Sequence, residues 1–483
     1  MIEGNAAYRA MTSRDPRFDG VFFVGVTSTG IYCRPICPVK TPQQKNCRFF
    51  DSAEAAEKAR FRPCLRCRPE LAPGHAPVDH AHRIAHLMVH RIDEGLLDDS
   101  AGLEEISGQF DLSSRQLRRI VQQELGVSPI ELMQTRRLLL AKQLLTETKL
   151  PVTEIAFASG FSSLRRFNDA FSTRYRMPPT RLRKEAAVDH MPVNDAGTSS
   201  LQLSYRPPYD WKAMLDFLDV RKIKDVEFVA GGAYLRTVRL GQHTGWIKVT
   251  HAPEKRALFV EFTHTLMPVL PALLGRLRNL FDLTARPDVI ETHLAKDPVL
   301  KKSLLKNPGL RVPGAFDGFE MVVRAILGQQ ITVKAATTIS GRFAEALGEK
   351  IVTPFPELSR LTPLAQRVTR AGIDDIATLG IISARAKSIL ALAEACHAKG
   401  LPLNPGADPE NAIAQLVTLP GIGPWTAHYI AMRALRWPDA FPKEDIAVQN
   451  NLGGVTAKQA EEMSQPWRPW RSYAVMHIWK NLS

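Results

Sequence analysis

Between residues 103 and 171 the apolar positions repeat at helical spacing, and the repeat occurs twice with the same layout. Each copy consists of a helical pattern, a turn and a second helical pattern. The apolar positions are Leu103, Ile106, Phe110, Leu117, Ile120 and Val121 in the first copy, and Val152, Ile155, Ala156, Leu164, Phe167 and Phe171 in the second. The turns fall at residues 111–113 and at Gly160. This pattern predicts two helix–turn–helix units, although a generic helical bundle would share the periodicity.

Polar residues in the same region suggest what the two units contact. Ser113 and Ser162 are predicted N-caps for the second helix of each unit. Five arginines project from those second helices, namely Arg115, Arg118, Arg119, Arg165 and Arg166. The stretch from Val152 to Pro178 resembles the AraC-type regulator domain. A long connecting helix, near residues 130–146, would set the two units one DNA turn apart, so that a monomer engages adjacent segments of the major groove.

Charge and composition broaden this picture to the whole chain. The 483 residues carry a net charge of +14 and a pI near 9.6, and the excess is +7 both in residues 1–187 and in the remainder. Such a surface favours a polyanionic partner for both parts. The sequence shows neither a secretory signal pattern nor an apolar run long enough to span a bilayer, so we expect a cytoplasmic protein without membrane contact.

Four cysteines near the N-terminus have metal-ligand spacing. Cys33 and Cys37 form a C-x3-C pair, and Cys64 and Cys67 form a C-x2-C pair. Two short-spaced thiolate pairs suit one tetrahedral Zn²⁺ ion, and the common use of such a set is a closed structural site. Four thiolates around one zinc leave a net charge near −2 and keep each sulfur deprotonated, which would also make an exposed sulfur a strong nucleophile.

The residues around these cysteines, segments 29–37 and 61–69, closely resemble the Ada-type methylphosphotriester-repair domain. The resemblance implies that Cys33 is both a zinc ligand and the irreversible methyl acceptor. We expect nearby arginines to hold the DNA backbone, although each could be an ordinary surface residue. These arginines are Arg34, Arg62, Arg66 and Arg68.

The C-terminal part contains a different DNA-contacting signature. Gly421 and Gly423 form a tight turn between apolar helices, and such a hairpin presents backbone N–H groups to a phosphate. Segment 417–427, with Asp445 beyond it, resembles the helix-hairpin-helix DNA glycosylase superfamily. Within that superfamily, segments 205–211, 324–330 and 467–473 resemble 3-methyladenine DNA glycosylase II, the AlkA type.

This second resemblance assigns roles to particular residues. It implies that Asp445 is the catalytic carboxylate, that Trp425, Tyr429 and Trp479 line the base pocket, and that Gln330 is the wedge that fills the gap left by a flipped nucleotide. The AlkA type carries an apolar residue at the wedge, so Gln330 is a departure that bears on rate or substrate breadth. Trp425 occupies the position of the Schiff-base lysine in the lyase branch, which implies a monofunctional enzyme.

The chemistry of these residue types agrees with those roles. A purine alkylated on a ring nitrogen is cationic and leaves readily, so the enzyme chiefly needs a carboxylate to stabilise positive charge at the sugar. Asp445 follows Pro442 in a predicted first helical turn, where the helix dipole favours an ionised carboxylate. A plain dipole partner is the structural alternative for Asp445, and core packing is the alternative for the three aromatic residues, whose faces would also stack on a cationic base.

One further motif is set aside. Cys396-His397 faintly resembles the active site of alkylguanine methyl transfer, but Ala395 and Ala398 replace the expected neighbours, so the segment is interpreted as a structural helix.

The sequence therefore predicts a multidomain α+β protein with five segments. These are an Ada-type zinc methyl-acceptor domain (1–75), an all-α AraC-type helix-turn-helix domain (80–187), a linker (188–200), an AlkA-type N-terminal α/β domain (201–310) and an all-α helix-hairpin-helix glycosylase domain (311–483). The predicted function is DNA alkylation repair joined to transcription activation on promoter DNA, with RNA polymerase as a further partner. A regulator with a decayed glycosylase half is the alternative, and a passive DNA-binding scaffold is disfavoured because it requires neither Asp445 nor an aromatic pocket.

Overall fold

The computed structural model describes most of the chain. The described residues are 4–14, 22–50, 56, 59–64, 66–67, 88, 92, 104, 107, 112–186 and 197–480. Several expectations fall outside them: Arg68, the first helix of the first helix–turn–helix unit with Leu103, Ile106 and Phe110, and residues 188–196 of the predicted linker. Contacts divide the chain into two compact units, residues 1–89 with 99–132, and residues 90–98 with 133–483.

The first unit contains a small four-stranded sheet. Helix α1 (Gly4–Thr12) precedes the strands β1 (Phe23–Val26), β2 (Ile31–Cys33), β3 (Cys47–Phe50) and β4 (Arg62–Pro63). Their order is β3-β1-β2-β4, with β1 antiparallel to β2 and β3, and β4 parallel to β2. One face packs Phe22 and Val24 with residues of α1 such as Ala7, and the other packs Phe23, Tyr32 and neighbours. The same unit contains helix α2 (Ser114–Leu125).

Helices follow along the chain in the region of the predicted regulator domain. They are α3 (Pro129–Glu147), α4 (Val152–Ala158), α5 (Leu164–Tyr175) and α6 (Pro179–Glu185). The predicted connecting helix is thus confirmed as α3, and the predicted second unit as α4 and α5. Gly160 lies between α4 and α5 at φ +85°, a conformation that costs glycine little. The second-unit cap was predicted one residue early, because the cap is Ser163, not Ser162.

A five-stranded antiparallel sheet opens the next region. Its strands are β5 (Thr198–Ser204), β6 (Glu227–Ala230), β7 (Ala233–Leu240), β8 (His243–Ala252) and β9 (Ala257–Thr263), in the order β5-β9-β8-β7-β6. Helix α7 (Trp211–Asp219) lies between β5 and β6 in sequence, and helix α8 (Leu270–Leu280) follows the sheet. Because β5 begins at Thr198, residues 198–200 belong to the sheet and not to the predicted linker.

This sheet shares a core with the regulator helices of the same unit. Apolar residues of α3 and α5, such as Leu145 and Phe171, form one buried cluster with Leu201 and Leu203 of β5 and with Leu266. Polar contacts border the cluster at the edge strand. Gln143 Nε2 donates to the Gln202 carbonyl at 2.7 Å, and the Gln202 N–H donates to Glu147 Oε2 at 2.9 Å. Helix α3 therefore satisfies backbone groups that an uncovered edge strand would leave open.

The remainder of the second unit is helical. Its helices are α9 (Pro287–Leu294), α10 (Pro298–Lys306), α11 (Gly318–Leu327), α12 (Val333–Leu347), α13 (Ala365–Val368), α14 (Ile373–Ala377), α15 (Ser383–Lys399), α16 (Pro409–Leu416), α17 (Pro424–Arg433), α18 (Ile446–Asn451), α19 (Ala457–Met463) and α20 (Arg471–Lys480). They enclose two apolar clusters, one around Ile326, Leu392 and Ile430, and one around Met432 and Trp467. Among the described helices, none combines the length and the apolar character that crossing a membrane requires.

Candidate functional site

The four N-terminal cysteines meet at one end of the small sheet. Cys33 ends β2, and its partner Cys37 follows a turn in which the Cys37 N–H donates to the Arg34 carbonyl at 3.1 Å. The second pair is tied to the first, because the Cys64 N–H donates to the Tyr32 carbonyl at 3.0 Å and the Arg34 N–H to Cys67 Sγ at 3.4 Å. All four sulfur atoms lie within 4.8 Å of one another and are buried.

This arrangement fits a single Zn²⁺ ion. Zn–S bonds of about 2.3 Å in tetrahedral geometry separate the sulfurs by roughly 3.8 Å, which agrees with the spread of the cluster. The two remaining cysteines lie elsewhere. Burial raises the pKa of the Cys47 thiol, and burial followed by the charge of Asp317 raises the pKa of Cys396 to about 12. Cys396 lies within helix α15, consistent with the structural role predicted for it.

The arginines near the cysteines divide into two kinds. Arg62 and Arg66 are exposed, as a backbone contact with DNA requires. Arg34 is fully buried beside the cluster, so its predicted contact with DNA is not supported. The sequence alone could not reveal the burial of Arg34, because the side chain of a residue between two metal ligands can point either towards the metal site or towards solvent.

The second helices of the two predicted DNA-reading units keep their arginines at the surface. Ser113 caps α2 with a capping box in which Ser113 and Gln116 bond each other's backbone, and the Ser163 side chain accepts from the Arg166 N–H at 3.2 Å. Five arginines on these helices are exposed, namely Arg115, Arg118, Arg119, Arg165 and Arg166. Their number and exposure give each helix a positively charged face.

The predicted base pocket is a cavity of about 320 Å³ in the second unit. Trp425, Tyr429, Trp479 and Asp445 all line it, although they come from three different segments. The Trp425 and Tyr429 rings are stacked one turn apart on α17, with centroids 5.4 Å apart and an angle of 14° between planes. Trp479 of α20 stands edge-on to Tyr429 at 6.2 Å.

Asp445 is held in the pocket by three donors. It is the N-cap of α18, one residue before the helical turn in which it was predicted, and its Oδ1 accepts from the Val448 N–H at 2.9 Å. Trp425 Nε1 donates to Oδ2 at 3.0 Å, and Trp479 Nε1 donates to Oδ1 at 3.2 Å. These three donors fix the orientation of the Asp445 carboxylate at the wall of the cavity.

The hairpin and the predicted wedge lie beside this pocket. Gly421 has φ +77°, whereas Gly423 has φ −87° and caps α17. Gln330 is exposed, with φ +55°, and its neighbour Gln329 donates its side-chain amide to the Gly421 carbonyl at 2.8 Å. The wedge turn and the hairpin are therefore connected by a direct hydrogen bond.

Comparison with known proteins supports the predicted order of domain types. Four family models match in series: the metal binding domain of Ada at 6–70, a helix-turn-helix domain at 106–185, the AlkA N-terminal domain at 200–317 and the HhH-GPD superfamily of base excision DNA repair proteins at 323–470. A probable bifunctional transcriptional activator/DNA repair enzyme AlkA from Mycobacterium tuberculosis is 38% identical over 482 residues, covering 98% of this chain and 96% of that protein.

The chain belongs to this bifunctional activator/repair family. Shorter relatives match its parts. DNA-3-methyladenine glycosylase 2 from Escherichia coli is 36% identical over 57% of this chain and 95% of its own length, and the bifunctional transcriptional activator/DNA repair enzyme Ada from Escherichia coli is 34% identical over 25% of this chain and 33% of its own length. The solved 3-methyladenine DNA-glycosylase from Archaeoglobus fulgidus, with 18% identity and a TM-score of 0.51, shares the fold over 57% of this chain and 96% of its own.

Three arginines of the pocket were missed by the sequence interpretation. Arg221 follows α7, Arg324 is on α11 and Arg433 ends α17, and all three line the cavity. Only the fold brings together positions so far apart in sequence. A local signal existed for Arg433, because it stands four residues after Tyr429 and so lies on the same face of the helix.

Proposed function

We propose that the second unit is a monofunctional DNA glycosylase that hydrolyses the bond between an alkylated base, such as 3-methyladenine, and its deoxyribose. The observation that carries this proposal is the carboxylate of Asp445, which two indole N–H groups and a helix N-terminus hold at the wall of an aromatic cavity. When the C1′–N bond breaks, its electron pair leaves with the base and positive charge develops on the sugar. A fixed carboxylate stabilises that charge and orients the attacking water.

The aromatic walls explain how such a pocket would accept alkylated bases. A flipped base that carries a positive charge gains cation–π attraction from the Trp425 and Tyr429 faces, in addition to the stacking that any base would gain. Since no lysine occupies the position of Trp425, the enzyme has no amine there to form a Schiff base, and simple hydrolysis follows. The intact Asp445 contacts also argue against a decayed glycosylase.

For the first unit we propose irreversible methyl transfer from a DNA methylphosphotriester to Cys33. The sulfur forms a bond to the methyl carbon, the carbon–oxygen bond breaks, and the electron pair remains on the phosphate oxygen. Zinc keeps the four thiols deprotonated at neutral pH. All four cysteines are buried, and Cys33 is no more exposed than Cys37 or Cys64, so the choice of Cys33 rests on its match to the Ada motif.

We further propose that the protein binds a promoter operator as a monomer through helices α2 and α5. Methylation of Cys33 would increase the affinity for this operator. Activation then requires contact with RNA polymerase. The reduced thiolate set indicates a reducing compartment, so we place the protein in the cytoplasm.

One experiment tests both activities on a single sample. The protein is incubated with methylated duplex DNA, the released bases are separated by chromatography, and the Cys33 peptide is weighed by mass spectrometry. We expect released 3-methyladenine with repeated turnover and, at most, one methyl group per chain on Cys33. A chain methylated at Cys33 that releases no base would instead be a regulator alone.

A further inference from the structure

The Arg433 side chain is a buried cation whose hydrogen-bond acceptors are all neutral. Its guanidinium donates to the carbonyls of Pro313 and Gly314, and its Nη1 donates to the hydroxyl oxygen of Tyr429 at 2.7 Å. Among the residues that the structure describes, it forms no ion pair. Burial lowers the pKa of Arg433 below its ordinary value, as expected for a cation without a compensating carboxylate. The charge of Arg433 is therefore available to whatever occupies the pocket.

The hydrogen bond donated by Arg433 determines which further hydrogen bond the Tyr429 hydroxyl can form. A phenol oxygen that accepts from a guanidinium keeps its own hydrogen for another acceptor. The described residues supply no acceptor for that hydrogen, and Tyr429 lines the cavity. The hydroxyl is therefore a fixed hydrogen-bond donor within the base pocket, a feature that stacking alone would not require.

The other charged groups near Tyr429 leave this side of the pocket positive. Arg324 is balanced by Glu227 at 2.8 Å and Glu320 at 3.1 Å. Arg221 lies over the Phe217 ring at 3.9 Å and donates to a backbone carbonyl. Asp445, the carboxylate that lines the cavity, is bonded to Trp425 and Trp479 and not to the arginines.

The same charges act on the phenol. Burial raises the pKa of Tyr429, but the guanidinium groups of Arg433, Arg221 and Arg324 outweigh burial, so the net shift is downward. A phenol with a lowered pKa is a better hydrogen-bond donor and a better acid.

This geometry would stabilise a negatively charged leaving group, which a purely aromatic pocket would not do. A cationic alkylated base becomes neutral when the C1′–N bond breaks and needs no partner for its electrons. A base that is neutral before cleavage leaves with a negative charge, and a positive, proton-donating wall stabilises that charge. On the basis of the proposed glycosylase function, we infer that Tyr429 donates its hydroxyl proton to departing neutral bases and that Arg433 is the positioning residue that holds Tyr429 in this role.

The reaction balances without any additional reagent. The electron pair of the C1′–N bond passes to the base ring, and the base takes the Tyr429 proton. Water adds its oxygen to C1′ and gives up one proton, and the phenolate, stabilised meanwhile by Arg433, is reprotonated from solvent. The net change is the consumption of one water molecule. The enzyme would then combine two modes in one cavity: stacking for cationic bases and proton donation for neutral ones.

The test compares two substrates under single-turnover conditions with the full chain. One is methylated duplex DNA, in which 3-methyladenine is cationic until it is released, and the other is a duplex with a single hypoxanthine, a base that is neutral before cleavage. For Tyr429→Phe, which keeps the stacked ring, we expect the ratio of hypoxanthine to 3-methyladenine release to fall about tenfold or more. Tyr473→Phe is the matched control, because that buried hydroxyl donates to Asp282 outside the cavity, and its ratio should stay at the wild-type value.

Arg433 is tested by two substitutions and a pH profile. Arg433→Met should lower the ratio of hypoxanthine to 3-methyladenine release. Arg433→Lys, which keeps a positive charge, should have a ratio between those of Arg433→Met and the wild type. If both fail to fold, Tyr429→Phe still decides the question. In the wild type, hypoxanthine release should fall as rising pH ionises Tyr429, at a pH below that of an ordinary tyrosine near 10. The Tyr429→Phe variant should lack this decline. Because the substrate titrates identically with both enzymes, a difference between their pH profiles would be due to ionisation of Tyr429.

Two results would overturn the inference while leaving the glycosylase function intact. One is a wild-type enzyme that releases 3-methyladenine but no hypoxanthine. The other is an unchanged ratio in Tyr429→Phe. Failure to release either base would instead contradict the proposed function itself.

Discussion

The indole N–H of Trp425 donates to the carboxylate of Asp445 at 3.0 Å, so the residue that stacks in the pocket also orients the group proposed to act on the sugar. A tryptophan at this position therefore has two separable roles. Its ring stacks on Tyr429 and its nitrogen fixes Asp445.

Substitutions of Trp425 should separate these roles. Trp425→Ala removes both, and we expect most base release to be lost at little cost in duplex affinity. Trp425→Phe retains a stacking ring but no donor, so its loss should be intermediate and should appear in the single-turnover rate. Trp425→Lys places an amine where the lyase branch has one, and trapping with borohydride would confirm the position. Unchanged release by the alanine variant would make Trp425 a packing residue.

Alanine substitutions of the two hairpin glycines form a matched pair of tests, one for stability and one for DNA binding. Gly421 has φ +77°, and an added Cβ would lie 2.4 Å from Ser388 Oγ. Gly421→Ala should thus destabilise the second unit by about 1 kcal/mol or more, measured by denaturant unfolding. Gly423 has an ordinary φ, and its added Cβ would meet open space.

We therefore expect the free energy of unfolding of Gly423→Ala to be closer to that of the wild type. The variant should nevertheless bind duplex DNA more weakly, because the new methyl group would hinder the approach of a phosphate to the hairpin N–H groups. Equal DNA affinity for Gly423→Ala and the wild type would remove the hairpin from the interface.

Gln330 should act during nucleotide flipping. If its exposed side chain fills the vacated stack, Gln330→Ala should slow release of a correctly paired lesion more than release of the same lesion opposite an abasic site, because the unpaired lesion costs less to extrude. Gln330→Asn is the control for the backbone, since asparagine tolerates φ +55°. Equal slowing on both duplexes would count against the wedge role.

The sequence predicted the types of domain and several regulator helices, and it predicted the three-dimensional clusters only in part. Periodicity was sufficient for α4 and α5, because their predicted apolar positions, such as Ile155 and Phe171, form a buried face. It could not decide between Ser162 and Ser163 as the cap, since both are good capping residues and only backbone geometry distinguishes them. It also could not show that Arg34 is buried, or that Arg221 and Arg433 converge on Tyr429, because these facts depend on packing between distant segments.

Methylation of Cys33 should strengthen operator binding. Four thiolates and one zinc present about two negative charges to DNA, and conversion of one thiolate to a thioether removes one of them. At short range one unit of charge is worth about 1.4 kcal/mol or more, hence roughly a tenfold or larger change in affinity, and the difference should shrink as salt rises.

Titration of both forms against operator DNA at two salt concentrations checks this. Equal affinities at low salt, with the methyl group located on Cys33 by mass spectrometry, would leave Cys33 as a repair nucleophile without a regulatory role.

The central claim is that one chain carries two independent repair chemistries, and Asp445→Asn tests it most directly. Asparagine can still cap α18, so the fold should be retained, while the negative charge beside the sugar is lost. Base release and methyl transfer to Cys33 are measured together on methylated duplex DNA. We predict that release falls by roughly a hundredfold or more, while zinc content and the methyl group on Cys33 match the wild type. Release within about twofold of the wild type would contradict the assignment of Asp445, and parallel loss of Cys33 methylation would contradict the independence of the two chemistries.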